Sequence, residues 1–299
     1  MVHGGEPVRR TSEWPCGDEL ERAARYVRAV RYAPSRGARV RAAASLEGLG
    51  AVRALLRALP VQPIELSDGP VGQQMRSWFR PERALPFDRA PIAVLDLPVA
   101  PAEYLRGRSR QALRTNLKRA AASGITCASV DSAGEVRRVA DAIAAGRRTV
   151  GEELVPVAEV PGPQRRFAAA YDATGEPLAL AQAIIDGSQA GLLLNLTAID
   201  HADARTARYA LHTHLVGELI GLGATRLVVG GSMLLTGEGT RYFQRRTGFT
   251  PVRVEVRAAR HEAAAPQPPA RLGGYSNRTA SSATSSRPSR LPLTAASHS

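Results

Sequence analysis

Three short apolar runs in succession, residues 167–171, 178–185 and 190–196, constrain this chain more than any other part of its sequence. They are separated by Thr174-Gly175 and by Asp186-Gly187. An Asp-Gly step between apolar runs is a strong short-range signal for a tight hairpin, so the three runs predict an antiparallel meander. The period then changes. Ala207, Leu211, Leu215, Leu219 and Leu222 recur at helical spacing behind Asp203, a candidate N-cap, and the pattern stops at Gly221 and Gly223. A strand at 226–229, the pair Gly230-Gly231, a short helix at 238–247 and a strand at 252–256 complete the C-terminal part.

Upstream, the spacing of Leu105, Leu113, Leu117, Ala120 and Ala121 predicts a helix over 104–123 that ends at Gly124. A strand at 125–130 and a helix at 132–148 follow, the latter with Val136, Val139, Ile143 and Ala144 inward. Pro156, Pro161 and Pro163 mark the connection to the meander. The resulting order is helix, strand, helix, three strands, helix, strand, helix, strand, which is an α/β chain with a mixed sheet. No internal repeat of solenoid period is present.

Residues 1–100 are expected to form a small N-terminal region, either a degenerate half-domain or a lid. It holds a strand-like piece at 38–43, a helix at 46–59 and an apolar segment at 92–97, broken apart by Pro60, Pro63, Pro81, Pro86 and Pro91. Residues 103–257 form the main domain. From about 260 onward Pro, Ala, Ser and Thr dominate without apolar period, so 260–299 is expected to be a disordered tail.

The 40 Lys and Arg residues outnumber the 27 Asp and Glu, leaving +13, which favours an anionic partner such as nucleic acid, a nucleotide cofactor or an acidic surface. Only Lys118 is a lysine. The tail holds five arginines against Glu262, so most of the excess charge belongs to the folded part. Cys16 and Cys127 lie far apart without metal-ligand spacing, so no disulfide framework or metal site is expected. No stretch reaches the ~18 apolar residues of a membrane span, and the N-terminus with Glu6 and Glu13 does not read as a signal peptide. A cytoplasmic location is expected.

Two segments carry a family resemblance. The basic stretch 108–125, with Arg108, Arg110, Arg114, Lys118, Arg119 and Gly124, resembles the helix that precedes a strand in Fem-type acyltransferases. Gly239, Phe243, Gln244, Gly248 and Phe249 are similar to the G-x-x-x-F-K-x-x-x-G ending of Fem proteins and to the F-Y-x-x-x-G-F ending of acetyl-CoA enzymes. The likeness covers roughly half the chain and points to the Fem-like branch of the acetyltransferase (GNAT) superfamily. It implies a GNAT-like fold with splayed central strands, and transfer of an acyl group to an amine.

The sequence departs from the acyl-CoA pattern in two places. Where that branch has a glycine loop cradling a pyrophosphate, residues 198–207 contain no glycine but do contain Asp200 and Asp203. Two carboxylates there would repel a pyrophosphate. Gln244 stands where one branch has lysine and the other a tyrosine that protonates the departing thiolate, and glutamine has no proton to give at neutral pH. An ester of tRNA needs such an acid less, because the neighbouring ribose 2′-hydroxyl assists departure. The donor expected is therefore an aminoacyl-tRNA, with no tightly bound cofactor and a small-molecule or peptide amine as acceptor. An acyl-CoA donor is the first alternative, and a non-catalytic RNA-binding module the second.

Candidate catalytic residues are Glu238, as a base at the start of the last helix, Ser232, as a hydrogen-bond donor to a carbonyl, and Gln244, which reads equally as a solvated surface residue of an amphipathic helix. His212, His214 and Asp200 are weaker candidates, and both histidines also read as packing or surface residues. Backbone N–H groups of 194–196 and 229–232 are expected to polarise the carbonyl. Arg106, Arg110, Arg114 and Lys118 fall every fourth residue with no acid between 104 and 130. Like charges at that spacing repel, which leaves two readings, a solvated helix face or a face neutralised by an RNA backbone. Arg110, Arg114, Lys118 and Asn195 are the candidate donor-binding residues.

Overall fold

Asp172 and two glycines build the meander. In the computed structural model, which describes residues 14, 17–79, 91–145, 162–198 and 201–259, the Asp172 carboxylate accepts from the Thr174 N–H at 2.8 Å, the Thr174 hydroxyl at 2.7 Å and the Glu176 N–H at 2.9 Å. That is an Asx-type turn. Its hydrogen bonds, the Thr174 hydroxyl first, hold the Asp172 carboxyl below the usual carboxylate range. Gly175 and Gly187 take positive φ, as the turns require.

The described elements are α1 (Gly17–Arg31), α2 (Arg36–Ala43), α3 (Leu46–Ala58), β1 (Val61–Leu66), α4 (Pro70–Trp78), β2 (Ile92–Asp96), α5 (Pro101–Tyr104), α6 (Gln111–Ala122), β3 (Thr126–Ser129) and α7 (Ala133–Ala145). After these come β4 (Arg165–Tyr171), β5 (Pro177–Asp186), β6 (Gln189–Thr197), α8 (Ala204–Gly221), β7 (Arg226–Val229), α9 (Glu238–Thr247) and β8 (Thr250–Ala258). The strands form one sheet in the order β1-β8-β2-β7-β6-β5-β4-β3. The meander β3–β6 is antiparallel, and β6 pairs with β7 in parallel through the α8 crossover.

Both faces of the sheet are covered. Ala168, Ala170, Ala179, Ala181, Ala183 and Ala190 line one face, where Ala207, Leu211, Leu215 and Leu219 of α8 pack together with α1, α3, α6 and α9. The small strand residues let α8 lie close to the sheet. On the other face α4 covers Ile64, Ile92, Val94, Ile184 and Val228, and α7 covers Phe167, Ala169 and Leu180. This is the mixed α/β arrangement expected, with an acetyltransferase-like order of elements from α6 onward. The N-terminal residues also join it: β2 lies between β7 and β8, antiparallel to both, and β1 runs parallel to β8 at the edge.

Three local expectations need correction. Residues 38–43 are helical, because Ser35 caps α2 by accepting from the Ala38 N–H, and no strand neighbours them. The helix expected over 104–123 is interrupted by a turn around Gly107 (φ 87°) and a short 3₁₀ turn before α6. Asp203 precedes α8 but makes no capping bond from its side chain, accepting instead from the Ser123 hydroxyl at 3.1 Å. Residues 146–148 of the expected α7 helix, Cys16, Asp200 and the tail lie outside the described residues.

Candidate active site

A bulge opens the sheet. β6 and β7 are paired from Gln189↔Arg226 to Leu192↔Val229. The register of β6 against β5 shifts between Gln182 and Ala183, which pair with Leu194 and Leu192, so Leu193 is the extra residue. A bulge bends and twists its strand. From Leu193 to Leu196, β6 has no strand partner other than β5 among the described residues, and its pairing with β7 ends at Val229. The sheet thus has a mouth in its interior, with unpaired backbone on the β7 side of β6.

Trp78 of α4 lies behind this mouth. A Cβ on Gly191 would fall 2.5 Å from the Trp78 ring, and one on Gly230 would fall 3.1 Å from it. Both glycines are therefore places where an indole approaches the backbone. Gly191→Ala should push the indole aside and destabilise the protein by about 1–3 kcal/mol, as overpacking does. In a Trp78→Leu background the same substitution should be close to neutral. Urea unfolding of the four proteins measures the coupling, and equal penalties in both backgrounds would remove Trp78 from the mouth.

Asn195 lies on the free stretch of β6 and Ser232 follows the end of β7, so they stand on opposite lips. Ser232 is buried and its hydroxyl accepts from the Leu234 N–H at 3.2 Å, while its carbonyl holds Leu235 and Thr236. It shapes the turn into α9. Glu238 is exposed on the first turn of α9. Gln244, on the same helix, is 3% exposed, and its Oε1 has no hydrogen-bond partner. Glu238 and Gln244 are thus not drawn into one cluster, and Gln244 is not a surface residue.

His212 is enclosed by Tyr104, Phe243 and Phe249. The Tyr104 hydroxyl donates to the Thr247 carbonyl at 2.7 Å, so its oxygen accepts from His212 Nε2 at 2.9 Å. That arrangement fixes a neutral ring with its proton on Nε2. Burial, then the charges of Arg208 and Arg110, push His212 down to about 3. Such a ring is a packing group without access to an amine. His214 lies 3.5 Å from Glu218, one turn on.

The basic row of α6 is partly committed to the protein itself. Arg110 stacks on the Tyr104 ring at 5.0 Å, and its guanidinium occupies the space that a Cβ on Gly248 (φ 91°) would need. Arg114 donates to the Leu105 and Gly107 carbonyls at 2.6 and 2.8 Å. Arg106 is 4.0 Å from Glu103. Of this basic stretch Arg108, Lys118 and Arg119 are exposed and have no ion pair among the described residues. Sequence reasoning missed a different arginine. Arg208, on the second turn of α8, stacks at 4.0 Å on Phe243 with its Nε buried and without a partner. Its position beside the apolar row of α8 was the available signal. The start of α8 has no glycine from 201 to 216, and the Asp203 side chain at its N-cap makes no capping bond. Among the described residues no His, Cys, Asp and Glu cluster could hold a metal ion, and no helix is long and apolar enough to cross a membrane.

The mixed sheet, the helical crossover from β6 to β7 and the mouth between them define an α/β protein of acetyltransferase-like (GNAT-like) topology. No protein-family model matches the chain, and no curated protein matches its sequence. Among solved structures it is similar to the C-terminal DUF2156 domain from Agrobacterium fabrum, with 19% identity over 55% of this chain and 58% of that one, and a TM-score of 0.40. It is also similar to FemX, at 12% identity over 69% and 66% with a TM-score of 0.41. The third is a GCN5-related N-acetyltransferase from Kribbella flavida, at 19% identity over 55% of each chain with a TM-score of 0.34. The chain spans 58% of the first of these, little more than half its length.

Proposed function

We propose that this protein is an acyltransferase that moves an aminoacyl group from a charged tRNA to an amine by direct attack. The observation that carries this reading is the bulge at Leu193, placed where β6 leaves β7. Unpaired N–H groups there suit a carbonyl oxygen that gains negative charge as the amine adds. The amine nitrogen forms a bond to the carbonyl carbon, the ester C–O bond breaks, and the proton lost from nitrogen ends on the ribose oxygen by way of its neighbouring hydroxyl or water. Gln244 supplies no proton in this scheme. The absence of glycine from Ala198 to Ala207, where a CoA-binding loop would need it, favours an ester donor over a CoA thioester.

Full-length protein incubated with mixed aminoacyl-tRNAs and a panel of primary amines and short peptides should yield an amide visible by mass. Acetyl-CoA with the same amines should yield none. Product from acetyl-CoA alone would replace this reading by the CoA one. No product from either donor would leave a non-catalytic binding module, which the exposed, isolated Glu238 and the neutral His212 also suit.

A further inference from the structure

The two helices that start from the lips of the mouth carry four arginines, against the exposed Lys118 and Arg119 of α6. Arg205 and Arg208 lie on the first turns of α8, and Arg245 and Arg246 on the last turn of α9. α9 packs on α8 through Phe243 and Tyr209, whose rings are 4.9 Å apart. The charges of Arg246, Arg208 and Arg205 act on the buried Tyr209, while that of Arg245 also acts on Glu21 of α1. None of the four arginines is ion-paired among the described residues. Tyr242 is 46% exposed, and the guanidiniums of Arg245 and Arg246 lie 5.6 and 5.0 Å from its ring centre.

Arg208 is the sharpest feature of the ridge. Its guanidinium is largely desolvated, and burial lowers its pKa. The Phe243 face offsets part of the desolvation. A buried donor without an acceptor is nonetheless unfavourable, and a ligand that supplies the acceptor would relieve that cost.

We propose that the α8–α9 ridge binds single-stranded RNA, with Arg205, Arg208, Arg245 and Arg246 on its phosphates and Tyr242 stacked on a base. This inference rests on the reading of a tRNA donor and moves the RNA contact from α6 to the ridge. An exposed aromatic ring between guanidiniums is the combination that holds single strands: phosphates supply salt-dependent affinity and the ring a sequence-tolerant stack. A pyrophosphate alone would use the arginines but not Tyr242.

The test uses full-length protein and a fluorescent single-stranded RNA ending in CCA, followed by anisotropy over a range of salt. Arg245→Ala/Arg246→Ala should weaken binding at least ~10-fold and flatten the log–log salt slope by ~1.4, the value for two lost phosphate contacts. Tyr242→Ala should weaken binding ~10-fold with the slope unchanged. Lys118→Ala/Arg119→Ala should change affinity less than twofold. Arg208→Met should weaken binding while leaving the Tm of the free protein unchanged or higher, which a packing role for Arg208 would not produce. RNA binding lost with the α6 pair but kept in the ridge variants overturns the proposal, as does a wild-type protein that does not bind the RNA. A Tyr242→Ala protein with unchanged affinity reduces the ridge to a site for charge alone and overturns the stacking mode. Ridge-dependent RNA binding without aminoacyl transfer removes the proposed activity but keeps the interface. Transfer from charged tRNA at an unchanged rate in the ridge variants does the reverse.

Discussion

Glu21→Ala is expected to destabilise the protein by about 2 kcal/mol, less than for a fully buried pair because the Glu21 side chain is 43% exposed, although Glu21 is far in sequence from α9 and from the mouth. Arg241 of α9 is 1% exposed. Its guanidinium meets Glu21 of α1 with two bonds, Nε to Oε1 at 3.0 Å and Nη2 to Oε2 at 2.5 Å, and Nη1 donates to the Thr236 carbonyl. The hydrogen bond from Arg241 is the main cause holding the Glu21 carboxyl below its usual range, against the opposing effect of burial. Truncating the carboxylate strands a buried cation, which is far more damaging than replacing both partners together. Glu21→Leu/Arg241→Met should therefore be the milder change. Urea unfolding of the two variants decides the matter, since a loss under about 1 kcal/mol for Glu21→Ala would mean that water screens the pair through its exposed acidic side. The consequence reaches the mouth, because α9 begins from the loop that forms one lip.

What the sequence disclosed follows from the range of the forces involved. The meander, β7 and α9 lie within a residue or two of the expected 167–171, 178–185, 190–196, 226–229 and 238–247, because turn residues and apolar period act locally. The place of β2 between β7 and β8 depends on pairing across more than a hundred residues, for which Ile92–Asp96 carries no local mark. The fourfold spacing of arginines on α6 identified a common face but not its neighbours. Arg110 and Arg114 turned out to serve Tyr104, Gly248 and the carbonyls of the Gly107 turn. α9 misled in the opposite sense. Its buried residues include Arg241, Gln244 and Thr247, so a polar pattern that reads as solvated is enclosed, and a hydrophobic period would not reveal it. The mouth itself was legible only as a region, 194–196 facing 229–232. The bulge that creates it is a property of the pairing.

Acidification from pH 7 to pH 4.5 is expected to remove about 2–3 kcal/mol of stability through His212 alone. In the unfolded chain this histidine titrates near the ordinary value of about 6.5. In the folded protein burial, Arg208 and Arg110 push it down to about 3. The folded pKa lies below the unfolded one, so as pH falls through 6.5 the unfolded state gains a proton that the folded state refuses. The contribution is fully present above about pH 6.5 and is lost progressively until about pH 3. Protonation would also place a charge among Tyr104, Phe243 and Phe249 and beside two arginines, with no carboxylate to receive it. Glu21 adds acid sensitivity of the same sign, but mainly below its own usual range near 4.5, outside most of this interval. His212→Gln keeps an N–H donor for the Tyr104 oxygen and has nothing to titrate. Unfolding free energies from urea titrations should fall between the two pH values by about 2–3 kcal/mol more for the natural protein than for this variant. Parallel losses in the two proteins would show that His212 is not the neutral, enclosed ring on which the packing of α8 against α9 depends.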